Sequence, residues 1–405
     1  KLRKPKKIIR ALDEYRLILQ KGGLLGAYVQ LNLSSDLNDP KNNDRRSLLV
    51  SKTSKLQSEL SFVESELLKN DKEVLEKVIS KAPQNNHYLT ELLKKKDHRL
   101  SDETEMTLEA LSPVINATMP LYNKIKLSDM DFGEFEVWGH KFPLSFVLYE
   151  NEYDYELDYD IRHGAYHQFS KVLSQYQHST AFNYQTHIMN EKIMAELRGF
   201  DSTIDYLLDK QDVSRELYDR QIDTIMERLA PAMRKYAGLL QKRYGLETMK
   251  FNDLKLVIDP DFEPTITEEE SRQYLLEGLE MLGDDYLEMI NKAFDERWID
   301  FAVNQGKSTG AFCSSPYGTH PYILISWTSK MREVFVMAHE LGHAGHFYNA
   351  HQHQNITDSR PSMYFIEAPS TFNELMMANH LLSKAQDNRM KRWIYSTMIA
   401  RTYYH

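Results

Sequence analysis

The residues with the clearest capacity for chemistry are His339-Glu340-Leu341-Gly342-His343, an HExxH pattern inside the stretch VFVMAHELGHAGHFYNA. Residues four apart share one face of a helix, so both imidazoles can reach a single ion. Zinc accepts neutral imidazole nitrogens at about 2.0–2.1 Å. Glu340 follows the first histidine directly, where it can reach a water on such an ion without being a ligand, which makes it the candidate general base. The preceding residues VFVMA are apolar, so this helix is expected to be buried. A buried helix carrying two histidines and a carboxylate needs a compensating partner, and a metal is one. The bland alternative is a core helix with two hydrogen-bonded histidines and an exposed glutamate.

A catalytic zinc takes three protein ligands and keeps one position open. The stretch from Met363 to Leu382, MYFIEAPSTFNELMMANHLL, offers Glu367, 28 residues after His339, and Glu374, seven further on. Seven residues is close to two helical turns, so both carboxylates fall on one face, with Ser370 and Thr371 between them. An apolar helix rarely buries carboxylates without a partner. Glu367 is therefore expected as the third ligand and Glu374 as an acceptor orienting a ligand histidine from behind. The alternative for Glu374 is a solvated residue. His346 is a competing third ligand, badly placed to close a tetrahedron with His339 and His343. The metzincin pattern needs a histidine ten residues after the first, where this chain has Asn349.

The elements that must hold these residues are mostly helical. Leu56, Leu60, Val63 and Leu67 recur at spacings of three and four, which predicts one apolar helical stripe. Ser101 is expected to cap a helix from Asp102 to Ile115. Residues 1 to about 125 read as an all-helical module of hairpins. Weak alternation with Gly133, Gly139 and Pro143 predicts irregular or short-strand structure there, and the acidic, Tyr-rich run 151–160 reads as a solvated helix start. Helical periodicity returns over 161–248. Residues 252–267 read as a strand or an extended loop, and Thr267 with Glu270 has capping-box spacing. Residues 304–319 are rich in Gly, Ser and Thr, and YILISW at 322–327 reads as a strand. The domains are expected as 1–150, helical, and 151–405, catalytic.

HELGHAGH together with IEAPSTFNE resembles the oligoendopeptidase F and Pz-peptidase branch of the thimet oligopeptidase family of zinc peptidases. The likeness extends through GKSTGAFCSSPYGTHPYILISW and LRGFDS at 197–202, and covers nearly the whole chain. It implies a mainly α, zincin-like fold with a small β-sheet beside the active site and two halves around a deep channel that admits short peptides. It implies one Zn²⁺ held by His339, His343 and Glu367, with Glu340 as the base. Gly310, Ala311 and the strand at Tyr322 are expected to form an edge on which a peptide backbone can pair, with an ordinary core strand as the alternative. His320 is expected either to touch substrate or to end a loop. His346 completes the candidate substrate contacts, and Cys313 reads as a bystander. Members of the family stabilise the oxyanion with Tyr and His side chains from a segment well downstream of the third ligand. This chain stops at His405, 38 residues after Glu367. The segment is therefore expected beyond residue 405. Tyr403, Tyr404 and His405 read as part of a helix, and the chain is expected to lack terminal parts and to be impaired alone unless the remainder of its own chain joins it.

Composition narrows the alternatives. The chain has 405 residues, 50 Lys plus Arg against 59 Asp plus Glu, and a net charge of −9, which disfavours a nucleic-acid partner. One cysteine excludes an intramolecular disulfide, and no apolar run is long enough for a membrane span, so a cytoplasmic enzyme is expected. The competing functions are a helical peptide-binding or scaffold protein with a structural zinc, and an aminopeptidase or carboxypeptidase with the same chemistry.

Overall fold

The computed structural model describes residues 2–60, 62–304, 306–308 and 310–403. They form two compact units, Lys1–Asp97 with Glu263–Ile394, and His98–Phe262 with Tyr395–His405. The chain thus leaves the first unit and returns to it, and residue 150 falls inside the second. Among the described residues no helix is long and apolar enough to cross a membrane. Tyr404 and His405 lie outside the described residues.

In the first unit, the long helix Pro5–Ser35 buries Ile8 and Leu12 against Val63, Leu67, Leu75, Val78, Leu89 and Leu92. Val63 and Leu67 are the predicted stripe; Leu56 and Leu60, at its other end, are half-buried. Arg16, buried in this bundle, donates to Asn85 Oδ1 at 2.7 Å. The chain re-enters through the helix Glu268–Gly278, whose capping box is present: the Glu270 N–H donates to Thr267 Oγ1, and the Thr267 N–H to the Glu270 carboxylate. Residues 254–266 form a loop, as Pro260 and Pro264 require, with a single antiparallel bridge from Thr265 to Lys330.

The second unit takes the helices after residue 97 out of the expected 1–125 module. Asp102–Ile115 is capped by Ser101 as predicted, but its partners are downstream. Arg198 forms a two-pronged ion pair with Glu105 at 3.0 and 3.1 Å, and Asn183 and Asn190 donate to the Thr118 and Ile115 carbonyls. The predicted short strands are a hairpin, Glu134–Val137 with His140–Pro143, turned by Trp138 and Gly139 at φ of +52° and +77°, the left-handed pair a two-residue turn favours. Of the acidic run 151–160, Asp158 caps the helix Tyr159–Gln175 as expected, whereas Tyr153 is buried in an aromatic core with Phe135, Tyr149 and Phe169.

One buried ion pair ties this unit together. The Arg162 guanidinium donates to Asp253 Oδ1 at 3.1 and 2.7 Å, and His163 Nε2 lies 2.8 Å from the same oxygen. Burial opposes ionisation of Asp253, but the bonds from Arg162, His163 and the Lys250 N–H outweigh it and hold its carboxyl below the usual range. Asp253→Asn leaves a buried guanidinium without its counter-charge and is expected to cost about 3–5 kcal/mol. A carboxyl depressed in the folded state stabilises above its unfolded pKa, and that contribution fades as pH falls through the folded value. Thermal melts should therefore show the largest gap between wild type and variant near neutrality, closing in acid. A gap that is constant with pH would mean that the charge is not what the variant removes.

Candidate metal centre

The motif helix, Arg332–His353, buries Val334, Phe335, Met337, Ala338, Glu340, Leu341 and Ala344. Glu333 closes its N-terminus by accepting the Thr328 and Lys330 N–H groups at 2.8 and 3.3 Å and the Thr328 hydroxyl, which satisfies donors just ahead of the first turn. The carboxylate helix, Ala368–Lys384, packs along it. Gly342 makes that approach close, and Gly345 does the same for Tyr286 of the helix Asp284–Asp295. A Cβ on Gly342 would stand 2.5 Å from Ser370 Cα and 2.8 Å from the Pro369 carbonyl oxygen; a Cβ on Gly345 would stand 2.2 Å from the Tyr286 ring.

This packing gathers His339, His343 and Glu367, whose donor atoms lie within 4.8 Å of one another. Glu367 Oε2 is 3.2 Å from His339 Nε2 and 3.2 Å from His343 Nε2. Tetrahedral zinc with ligands at about 2.0–2.1 Å holds neighbouring donors about 3.3 Å apart, so the set fits such an ion. Behind His339, Nδ1 lies 2.6 Å from Glu374 Oε1. Burial lowers the basicity of His339, but the Glu374 bond and the charges of Glu340, Glu374 and Glu367 reverse that and leave it raised. Burial dominates at His343 and leaves it lowered despite Glu367. Glu340 is 5% and Glu374 7% exposed. The Glu367 side chain, in contrast, is 59% exposed. The expectation that both carboxylates are buried within one helix is corrected here: Glu367 is the residue before the first helical turn, open to solvent, and held by Ser370 Oγ, 2.8 Å from its Oε2.

The other candidates are spread around this group. The sheet order is Ile299–Asp300, Tyr322–Leu324, Phe312–Ser314, so the Tyr322 strand is central and paired on both sides. That corrects the reading of Tyr322 as an edge: the edge strand beside the motif helix is Phe312–Ser314, and Tyr322 lines a cavity of about 340 Å³ with Thr319, Leu24 and Tyr28. Gly310, at φ +81°, and Ala311 lead into the edge strand. His320 stacks on Trp298 at 4.9 Å and donates from Nδ1 to the Pro321 carbonyl, a packed loop end. His346 is outside the donor group; its ring lies against Phe347 and Phe365, and burial lowers its basicity. Burial pushes the Cys313 thiol up to about 12, with Ser315 opposing and Glu340 adding to the effect, so the thiol stays protonated and unreactive at neutral pH.

The sequence reading missed Tyr286 and Asn373. Tyr286 Oη donates to the Leu341 carbonyl at 2.8 Å, and Asn373 Nδ2 donates to Tyr286 Oη and to the Ala338 carbonyl, both at 2.9 Å. Asn373, a polar residue in an apolar helix, could have been flagged. Tyr286 lies 55 residues from Leu341 and carries no local signal.

Residues 153–403 match the description Peptidase family M3, and residues 66–132 match Oligopeptidase F. The chain belongs to peptidase family M3. Within it, this M3 chain is similar to the oligoendopeptidase F branch. It is 27% identical over 321 residues to Oligopeptidase PepF of Bacillus subtilis, covering 78% of the chain and 47% of that protein. It is 25% identical to an oligoendopeptidase F homolog of Borreliella burgdorferi over 96% of the chain and 65% of that protein. The chain thus spans about half to two thirds of the length of these curated relatives. The crystal structure of oligoendopeptidase-F from Enterococcus faecium superposes with a TM-score of 0.68 at 18% identity, over 96% of this chain and 64% of that one. The fold is the mainly α, zincin-like one.

Proposed function

We propose that this chain carries the centre of a zinc-dependent endopeptidase that hydrolyses internal bonds of short oligopeptides. The observation that carries the reading is the convergence of His339, His343 and Glu367 on one point, with Glu340 on the same helix. Family membership and relatives named as oligopeptidases support peptides as the substrate class. When bound, zinc supplies a Lewis acid that polarises the scissile carbonyl and makes water nucleophilic near neutral pH.

The protein's own residues supply the rest. Glu340 takes a proton from the attacking water and passes it to the leaving nitrogen. Glu374 accepts the Nδ1 proton of His339, which leaves the Nε2 lone pair directed at the donor group. Glu367 brings a negative charge to the same point. The edge strand Phe312–Ser314 offers backbone groups to an extended peptide, which recognises length and conformation more than sequence.

The competing structural-zinc reading needs four protein ligands, and among the described residues the group counts three. Metal analysis is expected to return about one zinc per chain in the wild type, lost in His343→Ala. Mass spectrometry of a ten-residue peptide is expected to show internal cuts, whereas trimming from one end alone would indicate an exopeptidase. A wild-type chain that takes up no zinc, or a His343→Ala chain that keeps it, would sink the reading.

A further inference from the structure

The face of the motif helix opposite its two ligand imidazoles carries a hydrogen-bond network that the hydrolytic chemistry does not use. Tyr286, from the helix Asp284–Asp295, lies against the backbone at Gly345, so close that a Cβ there would stand 2.2 Å from its ring. Its hydroxyl donates to the Leu341 carbonyl at 2.8 Å and accepts from Asn373 Nδ2 at 2.9 Å. The same amide donates to the Ala338 carbonyl at 2.9 Å. Those two carbonyls belong to the residues immediately before His339 and two before His343. Asn373 is adjacent to Glu374 and six residues after Glu367.

One network therefore ties the helix bearing both imidazoles to the helix that carries Glu374 and begins directly after Glu367. Asn373 is 2% exposed and burial pushes the Tyr286 hydroxyl up to about 12, with Asn373 opposing. In such a dry setting each of these bonds holds its partner at a fixed distance, and an unmade one is costly. Another polar bond between the two helices runs from His339 Nδ1 to Glu374 and is made by a member of the donor group itself; the backbone contact at Gly342 carries no hydrogen bond of its own and does not by itself fix the register. A hydrogen bond from one helix's side chain to a named carbonyl of the other fixes the register.

We propose that Tyr286 and Asn373 are positioning residues for the metal centre: together they set the register of the carboxylate helix on the motif helix, and so the spacing of Glu367 and Glu374 to His339 and His343. The inference rests on the zinc reading above. The residues touch neither substrate nor the ligand nitrogens, and act through the helices they join. Groups that orient ligands from outside typically change metal affinity by about 10–100-fold when removed.

The test is zinc affinity of the apoprotein, measured by competition with a chromophoric chelator, beside its melting temperature. Tyr286→Phe removes only the hydroxyl and Asn373→Ala only the amide. Each is expected to weaken zinc binding about tenfold or more, and the double variant to fall short of the sum because both act through one network. The visible spectrum of the cobalt-loaded protein is expected to change in Tyr286→Phe, since it reports the geometry of the donors. Leu75→Ala, in the distant N-terminal cluster, is the stability control, expected to lower the melting temperature with zinc affinity intact. If Asn373→Ala does not fold, Tyr286→Phe decides alone. A Tyr286→Phe chain that melts earlier, as the control does, yet binds zinc within about twofold of wild type overturns the inference and leaves the zinc reading standing. A wild-type chain that binds no zinc overturns both.

Discussion

Glu340→Gln is expected to lower kcat for peptide hydrolysis by about 10²–10⁴-fold, the usual worth of a positioned general base, with zinc content unchanged at about one per chain. The two halves of that result are separable because Glu340 is in the motif without being in the donor group: the converging atoms belong to His339, His343 and Glu367. The carboxylate is 5% exposed, and its charge acts both on His339 and on Cys313 of the edge strand. The motif helix packs against that strand, the one proposed above to carry the peptide. A glutamine keeps the volume and the hydrogen-bonding reach and removes the charge and with it the ability to take a proton. Peptide turnover and metal analysis on the same preparation give the answer. Turnover near wild type would remove Glu340 from the chemistry, and loss of zinc would make it a ligand or a support for one.

What the sequence disclosed about this site follows from which interactions are local. His339 and His343 are four residues apart on one helix, so helical geometry alone brings them to one side; Glu367 and Glu374 are seven apart, with Glu367 at the N-cap of the helix that carries Glu374. That the two pairs meet, with Glu374 on Nδ1 of His339 and Glu367 on Nε2, rests on the close packing of two helices that Gly342 permits. The exposure of Glu367 is not legible locally, because an apolar stretch does not show where its helix begins, and Glu367 precedes the first turn. The central place of Tyr322 is hidden for a related reason. Alternation and β-branching mark a strand, but the strand order 299, 322, 312 is set by long-range pairing that no local pattern encodes. Tyr286 was invisible on the same grounds. The helical texture of residues 98–125 was legible, while their allegiance to the second unit depends on Arg198, Asn183 and Asn190 far downstream.

Gly342→Ala carries the other large expected effect, and two opposing magnitudes decide its sign. In a helix interior alanine is favoured over glycine by about 1 kcal/mol. Where nothing stands in the way that gain is realised: Gly26 in the helix Pro5–Ser35 has no neighbour within 4 Å of the Cβ it lacks, and Gly26→Ala is expected to stabilise by about 0.5–1 kcal/mol. At Gly342 the new methyl meets Ser370 Cα at 2.5 Å, and Ser370 N and the Pro369 carbonyl oxygen at 2.8 Å. These are backbone atoms at the start of the carboxylate helix, with no rotamer to swing aside, and a close-packed interior has no space to lend. Overpacking of this kind costs typically 1–3 kcal/mol, more than the helical gain, so the net change is destabilising. The strain is relieved by moving the carboxylate helix outward by on the order of 1 Å, the difference between these distances and ordinary contact. Glu367 stands three residues before Ser370 and moves with it, away from two nitrogens it now approaches to 3.2 Å. Zinc affinity is accordingly expected to fall by at least tenfold, alongside a melting temperature that moves opposite to that of Gly26→Ala. Zinc titration and thermal melts of the two variants side by side test both expectations. Equal stabilisation of the two, with zinc binding intact, would show that the helices are not in the contact on which the donor set depends.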